Sequence, residues 1–294
     1  MPYIKKEFKT IKNMKIEEFL LNHTKLEEKL VLNLLKIGKI IDENNKRFQQ
    51  NETIKSDFLY ITIFEPKTQN LKPIFENRFF AIFDKPSGVL VHPTSSNDCS
   101  YTLLDEIKFY LGENASLIHR IDKETSGLVL VSKDKYSELI LKSQFEEKTL
   151  NNSSSIKKNY LALVKGKVLK SQTINEPIGN SKGLIKLKMQ VCKDTNEGKP
   201  STTIIEPIFY DENKNQTLIK ATPITGRQHQ IRVHCDYIGH PIIGDPIYGI
   251  REQEANDILT NKLKKTQRLM LQADFLEFDF LDINYKFKSL QKLF

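Results

Sequence analysis

The spacing of apolar and polar residues changes period along the chain, and the changes mark its elements. Between about Met14 and Glu65, Phe19, Leu20 and Leu21, and then Leu30, Leu32, Leu34 and Leu35, recur at spacings compatible with two amphipathic helices. Gly38 stops the second helix, and Lys39-Ile40-Ile41 begins a short extended segment. Asn44-Asn45 offers a turn that tolerates left-handed backbone, and Tyr60-Ile61-Thr62-Ile63 has strand character. The polar, proline-bounded PKTQNLKP reads as a linker. We therefore expect a small helical module over residues 1–66, a linker over 67–75 and a larger domain over 76–294. Within the larger domain, Phe79–Phe83, Val89–Val91 and Tyr160–Val164 read as strands, and the unbroken apolar run Leu128–Val131 suits a buried one. The partial alternation of Leu184–Cys192 and Ser201–Tyr210 predicts half-buried antiparallel strands. Ser100–Gly112 and Tyr136–Glu147 predict helices, NNSSS at 151–155 reads as a mobile connection, and the tail from Asp279 carries no readable chemistry.

Composition narrows the class. The chain has 294 residues, a net charge of +8 and only three cysteines, Cys99, Cys192 and Cys235, too scattered for a disulfide framework or a zinc site. No apolar run approaches the ~18 residues of a membrane span, and the basic start lacks the apolar core of a secretory signal, so a cytoplasmic protein is expected. From Glu146 to Arg232 there are 15 Lys/Arg against 8 Asp/Glu, a bias suited to contacts with a nucleic-acid backbone. The chain has no phosphate-cradling glycine loop and no dinucleotide fingerprint.

The densest chemistry lies in Leu117–Asp134, LIHRIDKETSGLVLVSKD. His119, Arg120 and Asp122 come first, Thr125-Ser126-Gly127 supply turn chemistry, and the apolar run follows. Taken alone, this could be a surface loop whose Asp caps a turn and pairs with Arg120 or Lys123. The whole string HRIDKETSGL, however, resembles the H-R-L-D-x-x-T-S-G-L signature of the RluA family of pseudouridine synthases, with Ile121 the one departure. Three further stretches fit. FDKPSGVLVH resembles the family's N-K-P-x-G-h-h-V-H, with Asp84 for the usual Asn. KKNYLALVKG resembles K-x-Y-x-A-h-V-x-G. TGRQHQIRVH followed by GHPIIGDPIYG keeps every polar position of the third motif. RLMLQADFLEF resembles the closing strand but has Gln272 where His is usual. More weakly, the N-terminal order of helices, turn and strand resembles the alpha-L RNA-binding module of the ribosomal-protein-S-four type, with Asp42-Glu43-Asn44 at the turn.

The resemblance implies an α+β catalytic domain on a long, mostly antiparallel mixed sheet, with the site in a cleft lined by the motifs. It also implies an isomerase that breaks the N1–C1′ bond of an extruded uridine and rejoins the base through C5, without metal, nucleotide or other cofactor. Asp122 matches the catalytic carboxylate, and the sequence leaves open attack on C6, attack on C1′ or a glycal route. A carboxylate drawn out of water needs a cation to stay charged, and Arg232 matches that partner. Tyr160 matches the ring that lies against the base and assists loss of the C5 proton, and Arg120 the residue that fills the vacated stack. Arg227, Lys158, His229 and Lys85 are candidates for phosphate contact or scaffold roles. Lys36, Lys39, Lys46 and Arg47 are candidates for RNA contact in the N-terminal module. The expected partner is 23S ribosomal RNA or a pre-50S particle, and the expected state a monomer. Glu197–Ser201, EGKPS, looks closer to the RluC branch than to RluD. Two alternatives stand beside this reading: an inactive RNA-binding or assembly protein on the same fold, and a synthase acting on tRNA.

Overall fold

The structure is a computed structural model that describes residues 3–65, 67–93, 100–151, 156–192, 197–265 and 267–293. The chain divides into two compact units, Met1–Thr68 and Gln69–Phe294.

In the first unit, β1 (Tyr3–Lys9) precedes α1 (Ile16–His23) and α2 (Glu28–Lys36), followed by β2 (Ile40–Asp42) and β3 (Phe58–Phe64). The strands form an antiparallel sheet in the order β1-β3-β2. The helices dock through residues at i, i+3 and i+4: Ile16, Phe19 and Leu20 from α1, and Val31, Leu34 and Leu35 from α2. Leu21, Leu30 and Leu32, counted above with the apolar face, are exposed instead. The module is therefore not purely helical: β1, charged at most positions, lies on an edge where only one face meets the core. Gly38 has φ +67 after α2, and Asn45 has φ 64 in a turn where Asp42 Oδ1 accepts from the amides of Asn44 and Lys46.

The second unit runs β4 (Phe75–Glu76), β5 (Phe80–Lys85), α3 (Leu103–Leu111), β6 (Ser116–Leu117), β7 (Ser126–Ser132), α4 (Lys135–Asn151), β8 (Lys157–Lys165) and β9 (Gln172–Asn175). It continues with β10 (Ile178–Asn180), β11 (Met189–Val191), β12 (Thr202–Asp211), β13 (Gln216–Pro223), α5 (Gln230–Tyr237), α6 (Glu252–Leu259), β14 (Leu271–Phe280) and β15 (Ile283–Lys288). Ten strands make one sheet along the path β4-β5-β7-β14-β8-β13-β12-β9, with β6 on β7 and β15 on β14; β10 and β11 form a separate hairpin-like pair. Every pairing is antiparallel except β7 with β14. This is the α+β fold with a mixed, mostly antiparallel sheet that the motifs imply.

Both faces of the sheet are covered where β5 and β7 run, which accounts for their unbroken apolar character. Phe80, Ile82, Leu128 and Leu130 pack on one side with Phe278 and Leu141, whereas Ala81, Phe83, Val129 and Val131 pack on the other with Leu103 and Ile107. α3 starts with a reciprocal cap between Thr102 and Asp105.

Several expected elements differ. Val89–Val91 is not a strand: Leu90 makes only an isolated bridge to Thr102. Leu184–Cys192 contributes three strand residues, and the tail, which looked featureless, adds β15. Residues 152–155 of the expected mobile connection lie outside the described residues. After β15, the buried Asp84 carboxylate accepts from Ser289 Oγ and the amides of Leu290 and Gln291, so the residue standing for the usual Asn anchors the C-terminal segment. Gln272 is buried and donates to Gln291 O, serving the same anchorage.

Gly127 is the tightest point. Expected to serve a turn, it lies inside β7 at φ +112, opposite Ala273 of β14, where a Cβ would stand 2.2 Å from the Ala273 carbonyl oxygen. Gly127→Ala is expected to destabilise the protein by on the order of 3 kcal/mol, read from urea unfolding. Parent-like stability would contradict the close approach of the two parallel strands.

Candidate active site

Asp122 sits on the loop between β6 and β7, and the KPSG stretch after β5 grips that loop from behind. Lys85 is fully buried, and its Nζ donates to the carbonyls of Pro86, Val89 and Lys123. The Gly88 amide donates to Lys123 O, Ser87 Oγ donates to Glu124 O, and Arg120 Nη1 donates to His92 Nε2 at 3.0 Å. Ile121 turns into the apolar core between these contacts. Of the two roles expected for Lys85, the scaffold is the one it fills; a phosphate contact is ruled out by its burial. Burial pulls its ammonium down to about 7 against the charges of Glu124 and Asp122, while three acceptor carbonyls favour the form with three N–H donors.

The third motif supplies the cation. A turn at Thr225–His229 leads into α5 and is pinned by the buried Gln230. Its Oε1 accepts from Thr225 Oγ1 and the Arg227 amide, and its Nε2 donates to Thr202 O and Thr203 Oγ1. His229, at the helix N-terminus, takes φ 55. One turn on, Arg232 is 3% exposed and forms a two-pronged pair with a wholly buried Asp245: Nε to Oδ2 at 2.7 Å and Nη2 to Oδ1 at 2.8 Å. The remaining nitrogen, Nη1, reaches Asp122 Oδ2 at 3.2 Å. Asp245 Oδ1 also accepts the amides of Ile247 and Tyr248. Burial by itself lowers the Arg232 pKa; the Asp245 hydrogen bond and the charges of both aspartates outweigh it and raise the value above the ordinary one.

Tyr248 closes this network. Its ring lies 5.0 Å from the Arg232 guanidinium carbon, and its hydroxyl accepts from the Met189 amide and meets His229 Nδ1 at 3.0 Å. Burial, then repulsion from Arg232, pushes His229 down to about 4 despite Asp122 nearby, with Nε2 3.9 Å from Asp122 Oδ2. A neutral imidazole does not serve as a cationic phosphate contact.

Asp122, Arg232 and Tyr160 line one cavity of about 280 Å³, together with Arg120, Lys158, Arg227 and His229. Tyr160 comes from β8, where the stagger between β14 and β8 brings Ala273 opposite it. Burial first and the Asp122 charge second push the Tyr160 phenol up, so it keeps its proton at neutral pH. The ring thus suits contact with a base and does not begin as a phenolate able to take the C5 proton. Lys158 Nζ lies 4.5 Å from the Phe145 ring centre, and His119 stacks on that ring from 5.0 Å. Arg227 spends its Nε on Pro200 O. Arg120 is exposed at the rim. Asp245 and Tyr248 are the site members that residue-by-residue reading passed over, although both stand in the quoted GDPIYG stretch; a buried arginine's need for a full counter-charge is the signal that points to Asp245. Lys36, Lys39, Lys46 and Arg47 belong to the first unit and are considered separately below.

The family model described as RNA pseudouridylate synthase matches residues 80–237, from β5 through α5. The chain belongs to the RNA pseudouridylate synthase family. An uncharacterized RNA pseudouridine synthase of Helicobacter pylori strain J99 is 35% identical across 98% of this chain and 96% of its own length. The ribosomal large subunit pseudouridine synthase C of Buchnera aphidicola subsp. Schizaphis graminum is 32% identical over 90% of this chain and 86% of its own length. Among solved structures, human RNA pseudouridylate synthase domain containing 1 superposes with a TM-score of 0.59 at 24% identity, covering 78% of this chain and 86% of that one, a likeness of fold. The chain is therefore an isomerase of the RluA type, acting on RNA.

The buried imidazole gives this synthase a testable pH response. Between pH 6.5 and about 4 the unfolded chain takes up a proton at His229 that the folded chain refuses. Its contribution is therefore complete above that window, is lost as pH falls through it, and stays constant below. Comparing denaturant unfolding near neutrality with unfolding near the lower limit, His229→Gln is expected to lose less stability than the parent, by on the order of 2–3 kcal/mol. Equal losses would contradict a neutral His229.

Proposed function

We propose that this synthase isomerises uridine in large-subunit ribosomal RNA, with Asp122 as the catalytic carboxylate and the target nucleotide extruded from its stack. The observation that carries the reading is the meeting of Asp122 with Arg232 at 3.2 Å in a cavity that also holds Tyr160. At about 280 Å³, that cavity is at the small end of ligand sites, which begin near roughly 300 Å³. It accommodates a single base, and a stacked, paired nucleotide could not enter it intact. The substrate class follows the names of the relatives, which include ribosomal large subunit pseudouridine synthases C and D.

In this reading Asp122 acts on the sugar or the base as the N1–C1′ bond breaks. Arg232 keeps the carboxylate aimed, and the Tyr160 ring lies against the uracil while it turns. C5 then bonds to C1′, the C5 proton leaves and N1 gains one, so no co-reactant is consumed. Arg120, exposed and steadied by His92, occupies the space the nucleotide vacates.

The first unit contributes RNA affinity as an alpha-L-like module. Lys36, at the end of α2, and Arg47 are exposed, and Lys39 lies between them in sequence at the start of the β2 segment. Lys46 pairs with Glu52, and its side chain remains largely in solvent.

The deciding measurement is tritium release from ribosomal RNA labelled at uridine C5. Asp122→Asn is expected to lower the rate by roughly 10³-fold or more while holding RNA as tightly as the parent. Equal release from both proteins, above background, would end the role of Asp122, and no release from either would leave the RNA-binding, inactive reading in its place.

A further inference from the structure

A second cavity, of about 890 Å³, borders the same loop. It shares Arg120, Ile121, Asp122, His229 and Arg232 with the smaller one, whereas Tyr160 belongs to the smaller cavity alone. The two spaces thus adjoin at the carboxylate. The far wall of the larger one is built from the end of α6 and the loop after it, beyond the segment that the family model covers.

That wall has two characters. Ile258, Leu259 and Leu263 present apolar surface, with Leu259 41% and Leu263 47% exposed, so a face able to take a flat apolar group is left uncovered. Lys262 and Lys264 line the same space and, among the described residues, make no ion pair, whereas their neighbour Lys265 pairs with Glu124 at 3.0 Å. The Lys265–Glu124 bridge ties the wall to the loop that carries Asp122 and gives Glu124 a partner of its own. Arg120 and Lys123 line the same cavity.

We propose that this cavity receives the RNA strand adjoining the target uridine: an unpaired neighbour whose base rests on Leu259 and Leu263 and whose phosphates meet Lys262, Lys264 and Lys123. The inference rests on the substrate reading above. An extruded nucleotide stays covalently joined to both neighbours, so the strand must leave the small cavity through space that adjoins Asp122, and this is such a space. Cations beside an apolar shelf are the combination that holds single-stranded RNA, and the volume is within the range of ligand sites.

The test uses the full chain with Lys262→Ala/Lys264→Ala. Both side chains are exposed, so folding is expected to be unaffected. Fluorescence anisotropy with a single-stranded RNA should show affinity reduced about tenfold, with a plot of log affinity against log salt shallower by roughly 1.4 for two lost contacts. In tritium release from ribosomal RNA, KM should rise while kcat stays within about twofold. Unchanged affinity and salt dependence would overturn the proposal. If the parent released no tritium from ribosomal RNA, the substrate reading would fail, and the anisotropy comparison would still decide the cavity. Leu263→Asp adds a further arm: weaker RNA binding supports the shelf, whereas unchanged RNA binding with reduced self-association in sedimentation would assign the face to a second copy of the chain and overturn it.

Discussion

The site depends on one guanidinium with three obligations. Arg232 lies in the interior at 3% exposure, where an uncompensated charge is prohibitive, and Asp245 meets it with both oxygens. That two-pronged contact uses Nε and Nη2, fixes the plane of the group and leaves Nη1 aimed at Asp122. Between the two carboxylates, the one with partial solvent access, at 26%, is the one in the cavity. Asp122 is therefore presented to the cavity as an oriented carboxylate whose partner is held in place. A lysine, with a point charge on a flexible stem, could not satisfy both aspartates in this geometry.

The rest of the catalytic unit keeps that guanidinium and the Asp122 loop in register. Gly127 lets β7 approach β14, β14 aligns β8 and hence Tyr160, and Gln230 ties the turn before α5 to β12. The KPSG stretch holds the Asp122 loop through Lys123 and Glu124, the residues directly after Asp122, without touching the carboxylate. Segments far apart in sequence thus converge on the site, through strand pairing and through side chains that bond to backbone groups.

Much of this was legible in the sequence because the information was local or carried by motif. The LVLV run announced a buried strand, and Asn44-Asn45 a left-handed turn. HRIDKETSGL led to the family and so to Asp122, Tyr160 and Arg232, which the fold brings to one cavity. What escaped was set by distant partners. β1 carries too many charges to read as a strand until its edge position is known. Val89–Val91 is apolar enough for a strand but pairs only through a bridge. Lys85 and Arg227 read equally as phosphate contacts or scaffold until three carbonyls are found around the first and Pro200 beside the second. The roles of Asp245 and Tyr248 appear only when the charge of a buried Arg232 has to be balanced.

The most direct test of this arrangement is the steady-state rate of tritium release by Arg232→Lys, with folding verified by circular dichroism. Retaining the charge while losing the fork should lower kcat by about 10²-fold or more with KM little changed. A folded variant that turns over at the parent rate would show that the three-way clamp is not what readies Asp122.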